Sequence, residues 1–133
     1  MIAPQGFEPA NMPLATIRVL LVEDEVMIRM MVADMVEELG HAVTAEAGDV
    51  GSAAELAQTG LFDLAILDVN LNGAMSFPVA DIIMKRRIPL IFASGYALDN
   101  YPAAFGSAPK LQKPFQIETL AKAITAARES TRH

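Results

Sequence analysis

From Ile17 onward, short runs of aliphatic residues alternate with longer stretches whose apolar positions recur every third or fourth residue. Ile17-Arg18-Val19-Leu20-Leu21-Val22 is a nearly unbroken apolar run, the pattern of a strand covered on both faces. Over Glu25–Leu39 the apolar residues Ile28, Met31, Val32, Met35 and Leu39 share one helical face, and Gly40 supplies a stop. Ala42–Ala47 reads as a second strand and Ser52–Thr59 as a short Ala-rich helix. Leu64-Ala65-Ile66-Leu67 is a third buried strand, ending at Asp68. Phe77–Arg87 reads as a helix with basic residues at its C-terminal end, where the helix dipole favours them. Pro89–Ala93 is a fourth strand ending at Ser94, Lys110–Lys113 a short fifth, and Gln116–Glu129 a last helix with Ile117, Leu120, Ala121 and Ile124 on one side.

Strands alternating with helices predict an α/β fold with a parallel sheet and helices on both faces. Residues 1–15 carry Pro4, Gly6, Pro9 and Pro13 without any period and read as a flexible N-terminal tail, so that 16–133 form one domain with no room for a second, output module. Residues Gly95–Pro109 must hold a fourth helix and both its connections, yet contain Pro102, Gly106 and Pro109; a short or poorly formed helix is expected.

In such sheets, sites gather where the strands end. The polar residues fall there: Glu23 and Asp24 after the first strand, Asp68 at the end of the third, Ser94 at the fourth and Lys113 at the fifth. Each has a plainer role when taken alone: a helix cap, a turn aspartate, a turn hydroxyl, a solvated lysine. Those roles are independent, whereas one shared site explains all the positions together. Two carboxylates about 4 Å apart repel by on the order of 4 kcal/mol at an effective dielectric near 20. A divalent cation relieves that, and oxygen-only ligation suits Mg²⁺. A carboxylate is also a competent nucleophile toward phosphorus, and an ammonium and a hydroxyl are suited to phosphoryl oxygens.

The 133 residues match one domain in length, and 53% are hydrophobic. The net charge of −6 disfavours direct DNA binding and is compatible with a bound cation. No apolar run approaches the roughly 20 residues of a membrane span, and no secretory signal is visible. The absence of cysteine excludes disulfides and thiolate metal sites and fits a cytoplasmic setting. His41, in a helix-to-strand turn, and His133, the terminal residue, read as surface residues rather than phosphodonors.

The motifs Val19-Leu20-Leu21-Val22-Glu23-Asp24-Glu25, Leu67-Asp68 with Gly73 soon after, Ala93-Ser94-Gly95 and Lys113-Pro114-Phe115 occur in that order over nearly all of Ile17–Arg128. On them the chain resembles the receiver domain of bacterial two-component response regulators. The resemblance implies a doubly wound, flavodoxin-like sheet of five parallel strands in the order 2-1-3-4-5. It implies that Asp68 is the phosphoacceptor and that Glu23, Asp24, Asp68 and the main-chain carbonyl of Asn70 hold Mg²⁺. Ser94 and Lys113 would bind phosphoryl oxygens, and the Lys113–Pro114 bond would be cis. The expected phosphodonor is a histidine kinase. The expected downstream contact is a protein partner on the face formed by the fourth helix, fifth strand and last helix, with the chain a monomer or weak homodimer.

Two departures bear on this. Glu23 stands where receivers often have the shorter Asp. Lys110 stands three before Lys113, where receivers place an aromatic switch residue; Tyr96, Tyr101 or Phe105 are substitutes, though each also suits plain packing. Phe92-Ala93-Ser94-Gly95-Tyr96, Pro109–Phe115 and the Leu71-Asn72-Gly73 and Ser76–Ala80 stretches look like the FAT GUY receivers, which are commonly stand-alone, lack the aromatic switch and work with histidine kinases of the alphaproteobacterial type. An alternative is an aspartyl-phosphate phosphatase of the haloacid dehalogenase type, but that class places a second Asp where Asn70 stands and adds a cap domain. A degenerate receiver that binds partners without phosphorylation is a third reading, opposed by the competent type of every site residue.

Overall fold

A computed structural model of the chain describes residues 16–95 and 101–131. The expectations for residues 1–15, Tyr96 and His133 lie outside the described residues. Five parallel strands form the sheet: β1 (Arg18–Val22), β2 (Ala42–Ala47), β3 (Leu64–Asp68), β6 (Leu90–Ser94) and β7 (Lys110–Gln112). Their order is β2-β1-β3-β6-β7. This is the expected 2-1-3-4-5 order, with a small extra hairpin intervening in the numbering. That hairpin is β4 (Asn70–Leu71) against β5 (Ala74–Met75), two residues each, and lies apart from the main sheet.

Alternation along the strands explains why both faces need helices. Leu20, Val22, Ala65, Leu67 and Phe92 point to one side, against Ala53 and Ala57 of α2 (Val50–Thr59) and Val79 and Ile83 of α3 (Phe77–Lys85). Val19, Leu21, Leu64, Ile66 and Ile91 point to the other, against Val32 and Val36 of α1 (Val26–Glu38) and Leu120, Ala123, Ile124 and Ala127 of α4 (Ile117–Thr131). Burial on both faces is what makes these strands read as continuous apolar runs.

The element bounds shift from expectation where local chemistry intervenes. Helix α2 starts two residues early because Asp49 caps it, its carboxylate accepting the Ser52 N–H at 2.8 Å. Helix α3 ends at Lys85 because Arg87 takes a left-handed φ of 60°. On α1 the buried centre is Val32 and Val36, so Met31, expected on the inner face, lies at its edge and is exposed.

The expected weakness of the fourth helix is borne out among the described residues: the stretch after β6 holds only a short 3₁₀ turn, Ala103–Phe105. Aromatic packing replaces helical regularity there. Phe105 stacks on Phe77 with ring centroids 5.7 Å apart, and Tyr101 lies 5.2 Å from Phe92. Each such pair contributes about 0.5–1.5 kcal/mol beyond area burial. Tyr101 and Phe105 both take part in this packing.

Candidate functional site

The site lies where β1 and β3 end, at the point where strand order reverses from β2 on one side of β1 to β3 on the other. Glu23 follows β1, its N–H donating to the Ala47 carbonyl at the end of β2. Asp68 closes β3, opposite Ala93 of β6. Ser94 closes β6, and the Lys113 N–H donates to its carbonyl at 2.7 Å. Lys113 follows β7 and precedes Pro114 through a cis bond, as the resemblance implied.

The side chains of Glu23, Asp24, Asp68 and Lys113 converge. Lys113 Nζ lies 2.7 Å from Glu23 Oε1 and 3.1 Å from Asp68 Oδ2. Carboxylate oxygens of Glu23, Asp24 and Asp68 all lie within 4.8 Å of one another. Glu23 is 3% exposed, Asp68 5% and Ser94 3%, whereas Asp24 stands at the rim. Burying acids this deeply beside one another is costly unless a cation answers them. Burial pushes the Glu23 carboxyl above its ordinary value; hydrogen bonds from Lys113 and the Glu25 N–H oppose this, and the Asp68 charge adds to it. Burial alone draws the Lys113 ammonium down, but its hydrogen bonds to Glu23 and Asp68 outweigh that and its pKa is raised. The site thus holds more negative charge than one lysine neutralises. An all-oxygen donor set with a deficit of positive charge fits Mg²⁺, which keeps several waters and takes few carboxylates.

The loop after β3 is built around Asp68. Asn72 (φ 53°) and Gly73 (φ 90°) form the turn between β4 and β5, the left-handed pair that an Asn-Gly hairpin requires. The Asn72 N–H reaches across to Asp24 Oδ2 at 3.1 Å, and Asn70 Oδ1 accepts the Gly73 N–H at 2.7 Å. The Asn70 N–H points at Asp68 Oδ1, 3.4 Å away. Asn70 therefore sits beside the acid cluster, and its side chain serves the turn.

One residue in this framework was not singled out from sequence. Ser76 is fully buried, and its hydroxyl donates to the Asp68 main-chain carbonyl at 2.6 Å. Its own N–H donates to the Val69 carbonyl at 2.8 Å, so it closes the loop onto the end of β3. The available signal was a serine directly before a Phe-Pro helix start.

Lys110 also has a defined place. Its ammonium contacts the Phe105, Gly106 and Ala108 carbonyls at 2.8, 3.2 and 2.6 Å, and lies 4.9 Å from the centre of the Tyr101 ring. Burial raises the Tyr101 phenol above its ordinary value and the Asp68 charge adds to this. His41 accepts the Ile17 N–H on Nδ1 at 3.2 Å, a structural contact at the start of β1.

A doubly wound parallel sheet with acids, a hydroxyl and a lysine at its strand ends is the architecture of a receiver-like α/β domain. Residues 19–125 match the family model of the response regulator receiver domain, and the chain belongs to that family, the phosphate-receiving part of two-component systems. Over 114 residues it is 37% identical to the transcriptional regulatory protein PdtaR of Mycobacterium tuberculosis, covering 83% of this chain and 56% of that protein. The chain thus spans a little over half the length of that relative. Its fold is similar to the solution structure of SdrG from Sphingomonas melonis Fr1, at TM-score 0.76 and 39% identity over 85% of this chain and 97% of that one. It is also similar to the anti-anti-sigma factor PhyR from Bartonella quintana, at TM-score 0.74 and 26% identity, covering 88% of this chain and 49% of that one. Receiver domains take phosphate from histidine kinases and bind Mg²⁺ at an acidic pocket; they are signalling domains, not enzymes of the ordinary kind.

Proposed function

We propose that this chain is a Mg²⁺-dependent phosphoryl-accepting switch in which Asp68 takes the phosphoryl group from a phosphohistidine of a histidine kinase. The observation that carries the reading is Lys113 Nζ set between Glu23 and Asp68, with Asp24 within reach of both acids. An Asp68 carboxylate oxygen bonds to phosphorus as the phosphorus–nitrogen bond breaks, and the bonding pair stays with the departing imidazole. Lys113 turns from Asp68 to one phosphoryl oxygen, and the Ser94 hydroxyl meets another. Glu23, Asp24, Asp68 and the Asn70 carbonyl are the residues that hold Mg²⁺. Bound there, Mg²⁺ supplies positive charge against the carboxylates and the transferred group.

The donor has a surface to dock on. Ile28, Met31, Val32, Met35, Pro114 and Phe115 line a groove of about 290 Å³ that reaches Lys113. Beside it Met27 and Met30 of α1 are 79% and 62% exposed. An apolar groove leading to the acids suits an amphipathic helix carrying the phosphohistidine.

The phosphatase alternative needs an acid–base carboxylate two residues beyond Asp68. Asn70 stands there with its side chain engaged in the turn, so the proton-transferring group is of the wrong type. The binding-module alternative leaves the competent constellation without use. We place the protein in the cytoplasm, acting as a switch or phosphate sink with a histidine kinase of the alphaproteobacterial type, a downstream protein partner, no direct DNA contact and a monomeric or weakly dimeric state. Among the described residues, no helix is long and apolar enough to cross a membrane.

The test is intact mass after incubation with Mg²⁺ and an acyl phosphate. One phosphoryl adduct is expected, lost in Asp68→Asn and without Mg²⁺. An adduct that survives Asp68→Asn would overturn the assignment.

A further inference from the structure

We propose that Arg29 is a positioning residue for the cation-binding acids: its guanidinium ties the Glu23–Asp24 turn to β2, and this tie sets how well the site takes Mg²⁺. The inference deepens the reading above and rests on it.

Arg29 lies in the first turn of α1, and two of its donors point in different directions. Nη1 donates to the Glu23 main-chain carbonyl at 3.1 Å, and Nε lies 3.2 Å from Glu46 Oε1 on β2. A planar fork holds two acceptors at once in fixed geometry, which a lysine ammonium on a flexible stem does not. The side chain is largely covered, 20% exposed.

Gly48 completes the arrangement. A Cβ there would stand 2.9 Å from Arg29 Nη1, 3.7 Å from the Glu23 carbonyl oxygen and 3.9 Å from Asp24 Cα. Gly48 is not among the residues with positive φ, so it is needed for space rather than for conformation. The backbone after β2 thus passes close over the guanidinium and presses it against the acid turn.

The result is that Glu23 is held on every side. Its N–H goes to Ala47, its carbonyl to Arg29, Oε2 to the Glu25 N–H at 2.9 Å and Oε1 to Lys113. Among the described residues, the Arg29 tie reaches Glu23 through its main-chain carbonyl, from a side chain with no recorded contact to the site's carboxylates. Partners of this outer kind orient ligands and tune affinity.

Charge and position make opposite predictions. A cation beside an acid cluster repels Mg²⁺, so by charge alone removing Arg29 tightens Mg²⁺ binding. If Arg29 acts by position, removing it loosens binding. The experiment is a Mg²⁺ titration of the full chain followed by amide chemical shifts, with thermal melts in EDTA alongside. Arg29→Met and Gly48→Ala are each expected to raise the Kd for Mg²⁺ roughly tenfold, the low end for outer ligand partners. Gly48→Ala keeps every charge and asks only the flexible end of Arg29 to move, so it serves where Arg29→Met fails to fold. Arg29→Lys keeps the charge and is expected to restore only part of the affinity. Tighter binding in Arg29→Met, or an unchanged Kd in Gly48→Ala, would overturn the inference while leaving the site reading intact. No saturable response in the wild type would overturn both.

Discussion

Lys113 and Glu23 meet through a 2.7 Å ion pair although 90 positions separate them in sequence. The pair explains how the longer acid is accommodated. Glu23 extends far enough to reach Lys113 with one oxygen while the other stays on the Glu25 N–H. Lys113 is an internal cation of the acid cluster, shared with Asp68 at 3.1 Å.

It follows that Lys113→Met leaves two acids facing each other with little solvent. Losing one partner of a buried pair costs about 3–5 kcal/mol; here the open rim at Asp24 reduces that to about 2 kcal/mol. Mg²⁺ replaces the missing charge, so the variant is expected to regain more stability from it than the wild type does. At ten times Kd the gain is about 1.4 kcal/mol. Urea melts of both proteins in EDTA and in excess Mg²⁺ measure the difference. Equal Mg²⁺ gains in the two proteins would contradict the internal-cation role.

Ser76→Ala removes the hydroxyl that donates to the Asp68 carbonyl in a fully buried setting. A buried acceptor left with one partner fewer costs about 1–3 kcal/mol. The loop that carries Asn70 is then released from β3, so a slower adduct formation at Asp68 is expected together with the lower urea midpoint. Ser76→Thr, which keeps the hydroxyl, is expected to recover part of both.

His41 gives a pH signature apart from the site. Burial, and then the Arg128 charge, lower its pKa below the ordinary 6.5. A group with a depressed folded pKa contributes stability above its unfolded value that is lost as pH falls through the folded one. The neutral ring accepts the Ile17 N–H, which a doubly protonated ring does not. Stability is therefore expected to fall as pH drops below 6.5, and His41→Gln to flatten that slope. Urea midpoints between neutral and mildly acidic pH check it; a slope unchanged in the variant would reject the role.

Why some of this was readable beforehand is a matter of period and burial. Strands covered on both faces leave unbroken apolar runs, and β1, β3 and β6 were found on that basis. The polar residues at their C-terminal ends stand out because, apart from Arg18 at the start of β1, nothing else in those runs is charged. The β4–β5 hairpin was not read as strand, because two-residue strands carry no period, although Asn72-Gly73 was the turn signal for it. Ser76 and Arg29 were missed for a different reason. Both act through main-chain carbonyls, of Asp68 and Glu23, and carbonyl partners leave no trace in residue type. Lys110 was visible as a departure, but its partners depend on how a proline- and glycine-interrupted stretch folds back.

Those partners lead to a last expectation. Lys110 gathers three carbonyls at the end of the 3₁₀ turn and lies over the Tyr101 ring. The Phe105, Gly106 and Ala108 N–H groups form the turn that these carbonyls close. An aromatic residue at this position would rotate; a lysine here fastens. Lys110→Met keeps the stem but loses the donors, at a cost of about 1 kcal/mol for exposed charge-assisted contacts. The amides of residues 105, 106 and 108 are expected to exchange about fivefold faster, the factor that corresponds to about 1 kcal/mol. Adduct formation at Asp68 is expected to be unchanged, because Lys110 touches none of the site acids. Unaltered exchange would mean that the Phe77–Phe92–Tyr101–Phe105 cluster alone holds the segment. A lost adduct would mean that the segment and the Asp68 site are coupled.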